Sequence, residues 1–178
     1  MLATDFFHID SVNGQRHYAL FVISIERRVV HHLGVTTNPN GQWVTQMARN
    51  LVWDLQEAKR TIRFLIRDRD TKFTASFDEV FRADGVGTIR TPIRSPRANA
   101  FAERWVKTVC TEGLDHLLIF SHRHLEHTLR AYVNHYNAAR HRGIGLETPR
   151  TTLPGDPLGN VERRDVLGGL IHEYRRAA

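Results

Sequence analysis

The sequence lacks several features that mark familiar structural classes. It has one cysteine, Cys110, among 178 residues, so it can form neither an internal disulfide framework nor a zinc module built on cysteine pairs. No apolar run reaches the roughly 18 residues that a membrane-spanning helix needs. The N-terminal segment MLATDFFHID has no basic stretch ahead of an apolar one, unlike a signal peptide. We therefore expect a cytoplasmic protein.

What the sequence does contain is the composition of a packed, basic domain. Hydrophobic residues make up 41% of the chain and the formal net charge is +6. The length suits one domain with a core and a short appendage. A positive balance suits a polyanionic partner, with nucleic acid first and an anionic membrane second. A protein with a solvated basic surface would carry the same balance, so charge alone does not decide.

Hydrophobic periodicity predicts a strand meander followed by alternating strands and helices. Residues 2–36 are expected to form three antiparallel strands, with Asn13-Gly14 in the first turn and Arg27-Arg28 marking the second. The pattern then predicts helices at 42–58, 73–82, 96–112 and 121–140, and strands at 63–67 and 85–91. This order predicts an α/β fold whose mixed five-stranded sheet has three antiparallel strands, then two parallel ones, and helices on both faces.

Acidic residues stand at the ends or in the middle of predicted strands. The run FLIRDRDTKFT, residues 64–74, leads out of an apolar strand into Asp68 and Asp70. Sites in mixed sheets lie beyond the carboxyl ends of strands, which is where Asp68 is expected. Asp5 interrupts the apolar first strand. An acid in such a place is costly unless it is paired or binds a cation.

A third acid, Glu103, lies in the predicted helix at 96–112. It follows Asn99 by four residues and precedes Lys107 by four, so the three side chains share one helix face. Carboxylates from two strands and one helix suit a hard divalent cation such as Mg²⁺. Paired metal ions can stabilise both the attacking and the leaving oxygen of a phosphoryl transfer. A basic surface around them would hold the polyanion.

Ordinary structural roles remain open for each of these acids. Asp68 and Asp70 could pair with the basic residues beside them in a polar loop, and Glu103 could belong to a solvated helix face. Asp10 competes with Asp5 for the role on the first strand. It lies on the opposite face of that strand, nearer the turn, where an acid is usual.

Three segments resemble the integrase catalytic core of bacterial insertion-sequence DDE transposases, in the superfamily of retroviral integrases. They are TDFFHID at 4–10, DRDTKFT at 68–74 and SPRANAFAERWVKTV at 95–109. The first resembles the strand that carries the family's first aspartate. The second resembles its D-x-G-x-x-[FY] segment, and the third resembles the helix that carries its glutamate. The resemblance implies an RNase H-like fold.

Spacing and downstream landmarks strengthen the resemblance. Glu103 follows Asp68 by 35 residues, from 68 to 103, which is within the interval typical of the family. HYNAAR at 135–140 and ETP at 147–149 are similar to the landmarks that follow this core. The resemblance covers an integrase-type core at about 1–150. It leaves a tail at 151–178 without a role, in which we expect a short helix near the end.

The resemblance implies a role for each acid and a reaction. Asp5, Asp68 and Glu103 would be the catalytic triad and would bind Mg²⁺ or Mn²⁺, two ions in all. A metal-activated water would cut a DNA strand, and the resulting 3′ hydroxyl would attack a target phosphodiester, in DNA integration or transposition. The candidate DNA-binding residues are Lys107, which matches a basic position of the family, and Lys72, Arg94, Arg97 and Arg104; the candidate outer-shell residues are Asp70 and Asn99. A homodimer or higher homo-oligomer and a location at the bacterial nucleoid are implied in the same way.

Several departures from the family keep alternatives open. Asp70 stands where the family has glycine, and Arg140–Arg142 reads Arg-His-Arg instead of Arg-Pro-His. The DNA-recognition region that normally precedes this core is not seen before Asp5. We therefore expect the catalytic core of a longer transposase or a truncated reading frame. The alternatives are an inactive relic that only binds DNA and a stand-alone RNase H-like nuclease.

Overall fold

Seven strands and four helices form the described part of the protein. The structure is a computed structural model that describes residues 1–92, 99–139, 141–149 and 160–176. In chain order the elements are β1 (Leu2–Asp10), β2 (Arg16–Ser24), β3 (Val30–Thr36), α1 (Gly41–Glu57), β4 (Phe64–Arg67), α2 (Ala75–Ala83), β5 (Gly87–Arg90), α3 (Ala100–Glu112), α4 (His122–Ala138), β6 (Val161–Val166) and β7 (Ile171–Arg176). None of these helices combines the length and the apolar character needed to cross a bilayer.

The main sheet has five strands in the order β3-β2-β1-β4-β5. The first three strands pair antiparallel, and β1 pairs with β4, and β4 with β5, in parallel. This is the predicted mixed sheet, so the predicted fold class is confirmed. The parallel pairing of β1 and β4 matters for the site, because it aligns Leu2 with Leu65 and Ala3 with Ile66.

Helices cover both faces of this sheet, which explains the continuous apolar run in β2. On one face, α3 and α4 bury Trp105, Val109 and Leu129 against the sheet. On the other face, α1 and α2 bury Leu51 and Phe77. A strand covered on both sides alternates between two apolar environments, so its sequence shows no polar period. Apolar burial on both faces is the main favourable term in the stability of the fold.

Polar side chains cap the N-termini of two of the helices. The side chain of Asn40 accepts a hydrogen bond from the backbone N–H of Trp43 at 2.9 Å, before α1. The Ser121 hydroxyl accepts one from His124 at 3.2 Å, before α4. Each bond satisfies a backbone donor that has no partner within the helix. The predicted start of the helix at Ser95-Pro96 lies outside the described residues.

The end of the chain forms a strand hairpin, so the short helix expected there is wrong. Strands β6 and β7 pair antiparallel from Val161↔Arg176 to Val166↔Ile171. The turn between them has positive φ angles at Leu167, Gly168 and Gly169. The two glycines adopt such angles at little cost. Ile171 is buried against the α3 and α4 side of the core. The other face of this hairpin is exposed and charged. The apolar pattern in the sequence of β6 and β7 is therefore too weak to predict strands.

A buried asparagine joins α4 to the edge strand β3. Between β2 and β3 the register shifts near Ile23, and Val30 turns its backbone toward α4. The side chain of Asn137 accepts from Val30 N–H at 2.9 Å and donates to Val30 C=O at 3.1 Å. Asn137 is 1% exposed, so water cannot replace these bonds. This residue belongs to the HYNAAR segment, and its contacts here are structural.

We predict that Asn137→Ala lowers the free energy of unfolding by about 2–4 kcal/mol, because it leaves a buried donor and a buried acceptor without partners. Asn134→Ala, at an exposed position of the same helix, should change it by less than about 0.5 kcal/mol. Urea unfolding followed by tryptophan fluorescence measures both. Equal stability of the two variants would contradict the structural role of Asn137.

Candidate functional site

The register of the parallel strands brings two of the predicted acids side by side. Ala3 lies opposite Ile66 at the end of the β1–β4 pairing. Continuing that register by two residues brings Asp68 level with Asp5. Because side chains alternate along a strand, Asp5 points to the same face as Ala3. That face is the one covered by α3 and α4, since Ala3 packs in their cluster.

Asp5 is a partly buried carboxylate held by two donors. Its Oδ1 accepts from the backbone N–H of Phe6 at 2.8 Å, and its Oδ2 accepts from Asn99 Nδ2 at 3.1 Å. Burial, together with the nearby charges of Asp68 and Glu103, raises the pKa of Asp5 to about 6 against the opposing effect of the hydrogen bonds. No basic side chain of the described residues forms an ion pair with it. The negative charge here is therefore concentrated and uncompensated.

Asp68 also remains without an ion pair among the described residues. Its Oδ1 accepts from the backbone N–H of Asp70 at 3.1 Å. Burial raises the pKa of Asp68, and the charge of Asp70 adds to this, while Lys72 and Arg67 act in the opposite direction. The sequence left open that neighbouring basic residues neutralise this acid. In the structure, the nearest basic side chains are bonded to other residues.

Arg67 is used by the fold and not by Asp68. This buried guanidinium forms a two-pronged bond with Asp78 of α2, at 2.8 Å from Nε to Oδ1 and 2.6 Å from Nη2 to Oδ2. Arg90 of β5 also contacts Asp78 at 3.1 Å. Only a backbone contact reaches the next residue, from Arg67 Nη1 to Asp68 C=O at 3.0 Å. The Asp68 carboxylate is thereby left for another partner.

Asp70 forms an ion pair with a neighbouring basic residue, as expected if it belongs to a polar loop. Lys72 Nζ lies 2.5 Å from Asp70 Oδ2, and the Lys72 backbone N–H donates to Oδ1 at 2.9 Å. The Lys72 ammonium also lies 5.1 Å from the centre of the Phe6 ring. Asp70 therefore contributes its N–H to Asp68, while Lys72, a predicted DNA contact, is partly neutralised.

Asn99 connects the helix of Glu103 to the strand of Asp5. It precedes α3 without a side-chain capping bond, and its Nδ2 donates to Thr4 C=O at 3.2 Å as well as to Asp5. Its own Oδ1 is buried without a hydrogen-bond partner among the described residues. One turn later Glu103 is exposed, close enough to Asp5 to affect its pKa.

The remaining candidate residues differ in where they lie. Lys107 is exposed one turn beyond Glu103, on the same face of α3. Arg104 is also exposed, but helical geometry turns it away from Glu103 by about 100°. Arg94 and Arg97 lie outside the described residues. Asp10, the alternative to Asp5, forms a two-pronged exposed ion pair with Arg16 at 2.8 and 2.9 Å, and this pairing lowers its pKa.

Two residues that shape this region were not found by sequence reasoning. Asp78 neutralises Arg67, and its place in α2 gives no local hint of that contact. Arg28 has a positive φ of 61° and lines a pocket with Arg104. The dipeptide Arg27-Arg28 indicated only a turn. A positive φ at a bulky residue is uncommon, and the sequence does not reveal it.

The donor chemistry of the three acids fits a hard divalent cation. Carboxylate oxygens are the ligands that Mg²⁺ prefers, and a cation would offset the charge that raises the pKa of Asp5. Within the described ranges, no three acidic, histidine or cysteine side chains are gathered closely enough to hold a metal ion as they stand. The charges of Asp68 and Glu103 both act on Asp5, but the three carboxylates do not form a closed ligand cage.

Comparison with known proteins identifies the architecture. The model of the integrase core domain family matches residues 84–149. The catalytic domain of the Mos1 mariner transposase matches with a TM-score of 0.64 at 16% identity, over 81% of this chain and 74% of that one. The fold is that of integrase and transposase catalytic cores. The resemblance drawn from the sequence motifs, and the RNase H-like fold it implied, are confirmed.

Two viral integrase cores show a similar likeness to this chain. The catalytic core domain of BIV integrase matches with a TM-score of 0.60 at 19% identity, covering 83% of this chain and 89% of that one. The HTLV-2 integrase catalytic core domain, in complex with magnesium and in a trimeric form, matches with a TM-score of 0.62 at 9% identity, over 83% and 91%. A comparison with curated protein sequences finds no match.

The raised pKa of Asp5 predicts an unusual pH dependence of stability. Between the unfolded value of 3.8 and the folded value of about 6, the folded state binds more protons than the unfolded state. The free energy of unfolding should therefore rise as the pH falls through 6 towards 4. At pH 8, without metal, Asp5→Asn should stabilise the protein by about 1–2 kcal/mol. The gain stays below the full electrostatic penalty because an amide offers one acceptor where the carboxylate offers two.

Urea unfolding at pH 5 and pH 8, in the presence of a chelator, measures this effect. Asp54→Asn, an exposed position of α1, makes the same change in charge and should leave the pH dependence as in the wild type. If Asp5→Asn and the wild type lose stability equally between pH 5 and pH 8, Asp5 does not carry the excess charge.

Proposed function

We propose that this chain is the catalytic core of a metal-dependent DNA transposase or integrase. It would cut a DNA strand by hydrolysis and then join the resulting 3′ hydroxyl to a target phosphodiester. The observation that carries the proposal is that Asp5 and Asp68 each follow the last paired residues of β1 and β4, Ala3 and Ile66, by two positions, and that neither carboxylate forms an ion pair among the described residues. Such an arrangement is costly for a fold and becomes favourable when a cation binds.

The metal ligands in this proposal are Asp5, Asp68 and Glu103, and the ions are Mg²⁺ or Mn²⁺, two in all. A bound pair of ions would supply an activated water and would stabilise the charge that develops on the transferred phosphate. The HTLV-2 core, which has the same fold, was determined in complex with magnesium. This supports the choice of metal without fixing the number of ions.

Residues of the chain would prepare the ligands for this task. Asn99 holds Oδ2 of Asp5, and the Asp70 N–H holds Oδ1 of Asp68, so both are outer-shell residues that orient a ligand. With a pKa of about 6, Asp5 is mostly ionised at neutral pH but begins to take up protons just below it. Metal affinity should therefore fall steeply in mildly acidic solution, because a protonated carboxyl is a poor ligand.

DNA would lie along the basic residues around the acids. Lys107, on the same face as Glu103, is the first candidate for a phosphate contact. The others are Lys72, Arg104, Arg94 and Arg97. Each contact would neutralise a phosphate and release a counterion, so binding should weaken with salt. We also propose a homodimer or higher homo-oligomer, which the trimeric form of the HTLV-2 core supports by analogy only.

The decisive prediction concerns Asp68→Asn. Isothermal calorimetry should detect saturable Mn²⁺ binding to the wild type and none to this variant. Since loss of an outer-shell partner already costs roughly 10- to 100-fold, cleavage of a labelled DNA duplex should fall by at least that much. DNA binding should remain. Asp54→Asn, exposed on α1, is the matched control and should behave as the wild type.

The products separate the three hypotheses for this fold. Joined strands from the wild type support a transposase or integrase core. Cut strands without joining would point to a stand-alone nuclease. DNA binding with neither cleavage nor Mn²⁺ binding, in the wild type as in Asp68→Asn, would contradict the proposed metal site and indicate an inactive relic.

A further inference from the structure

A second site candidate lies on the other side of α3. It is a pocket of about 330 Å³ between α3, α4 and the connection of β2 to β3. Its size is at the lower end of the range for small-ligand pockets. Two guanidiniums and several aromatic rings line it, among them Arg28, Phe101, Arg104, Trp105 and Tyr136, together with Glu112.

Arg28 is fixed in this pocket by its backbone and by a ring. Its φ of 61° costs a non-glycine residue roughly 1 kcal/mol, and the tight turn is closed by a bond from Arg28 N–H to Ser24 C=O at 2.8 Å. The guanidinium carbon lies 4.0 Å from the centre of the Phe101 ring. Such stacking holds the planar group in place while its N–H donors stay available.

The two guanidiniums have no carboxylate partner within the part of the chain that the structure describes. Neither Arg28 nor Arg104 forms an ion pair there. Glu112 lines the same pocket, but its Oε2 accepts the Tyr132 hydroxyl at 2.8 Å. Burial lowers the pKa of Arg28, and the charge of Arg104 lowers it as well, against the effect of Tyr136. Two close, like charges in a half-enclosed space attract an anion.

The pocket is separate from the carboxylate site because α3 turns them to different sides. Glu103 and Lys107 share one face. Phe101, Arg104 and Thr108 are spaced by three and four residues along another face, and Thr108 lies about 140° around the helix from Glu103. The pocket and the carboxylates therefore flank one helix, with charges of opposite sign.

We propose that this pocket binds a phosphate of the DNA backbone between Arg28 and Arg104. The planar guanidinium matches a phosphate with two parallel hydrogen bonds. The Tyr136 ring also lines the pocket, and Trp105 Nε1 is a buried donor without a partner among the described residues. The identity of the anion rests on DNA being the substrate, as proposed above, while the pocket itself does not involve the carboxylates.

Binding of a fluorescein-labelled DNA duplex, in a chelator and at several salt concentrations, tests this. Arg28→Gln and Arg104→Gln should each weaken binding by roughly tenfold. The slope of log affinity against log salt should fall by about 1 in each variant. The double variant should also lose only about 1, because both residues serve one phosphate. Arg123→Gln, an exposed position of α4, is the matched control for charge.

Two further measurements distinguish a shaped phosphate site from a general attraction between charges. Arg28→Lys keeps the charge but loses the planar fork, so it should retain the salt slope and lose part of the affinity. The indole N–H signal of Trp105 in a proton–nitrogen NMR spectrum should move when the duplex is added to the wild type, and should not move with Arg28→Gln. Thermal unfolding of each variant confirms that it is folded.

The proposal is overturned if Arg28→Gln and Arg104→Gln bind the duplex like Arg123→Gln. It is also overturned if the variants lose binding to polyglutamate and not to DNA, which would indicate an acidic protein partner. Because the assay contains no divalent metal, failure here leaves DNA cleavage by the wild type intact. Failure of the metal site would equally leave this binding unchanged.

Discussion

A carboxylate on the inner face of the central strand β1 is the constraint on which the site depends. Asp5 sits among apolar neighbours that pack under α3 and α4, and the fold provides two hydrogen bonds for it and no described cation. One of those bonds comes from Asn99, immediately before α3. The helix that carries Glu103 is therefore attached to the strand that carries Asp5 by the same contact that orients the carboxylate. Folding and site assembly are coupled at this point.

The ion pairs around the site explain why Asp68 stays unpaired. Arg67 directs its guanidinium to Asp78, and Lys72 directs its ammonium to Asp70. A buried arginine that lost Asp78 would be a strongly unfavourable charge, so the contact between β4 and α2 is fixed by the needs of Arg67. The basic side chains next to Asp68 therefore form ion pairs with other carboxylates. Despite the overall charge of +6, Asp5 and Asp68 have no ion pair among the described residues.

Local signals account for what could be predicted from the sequence. The apolar run of β2, the Asn13-Gly14 turn and the spacing of Asp68 and Glu103 lie within short windows, and they led to the five-stranded sheet and to acids on neighbouring elements. Contacts between distant segments left no such trace. Asn137 with Val30 spans 107 residues, and the charged ribbon at 161–176 shows too little apolar pattern to indicate strands.

Helix α3 lies between the carboxylate site and the pocket that holds Arg28 and Arg104. The face with Glu103 adjoins the carboxylates, and the face with Arg104 adjoins Arg28. Trp105, on the buried side of the same helix, packs against Phe21 at 4.3 Å between ring centres. A cation at the acids would remove repulsion there without touching the arginines. If the acids bind metal and the two arginines bind phosphate, as proposed above, a DNA strand passing α3 would meet attraction on both sides of the helix only when metal is bound.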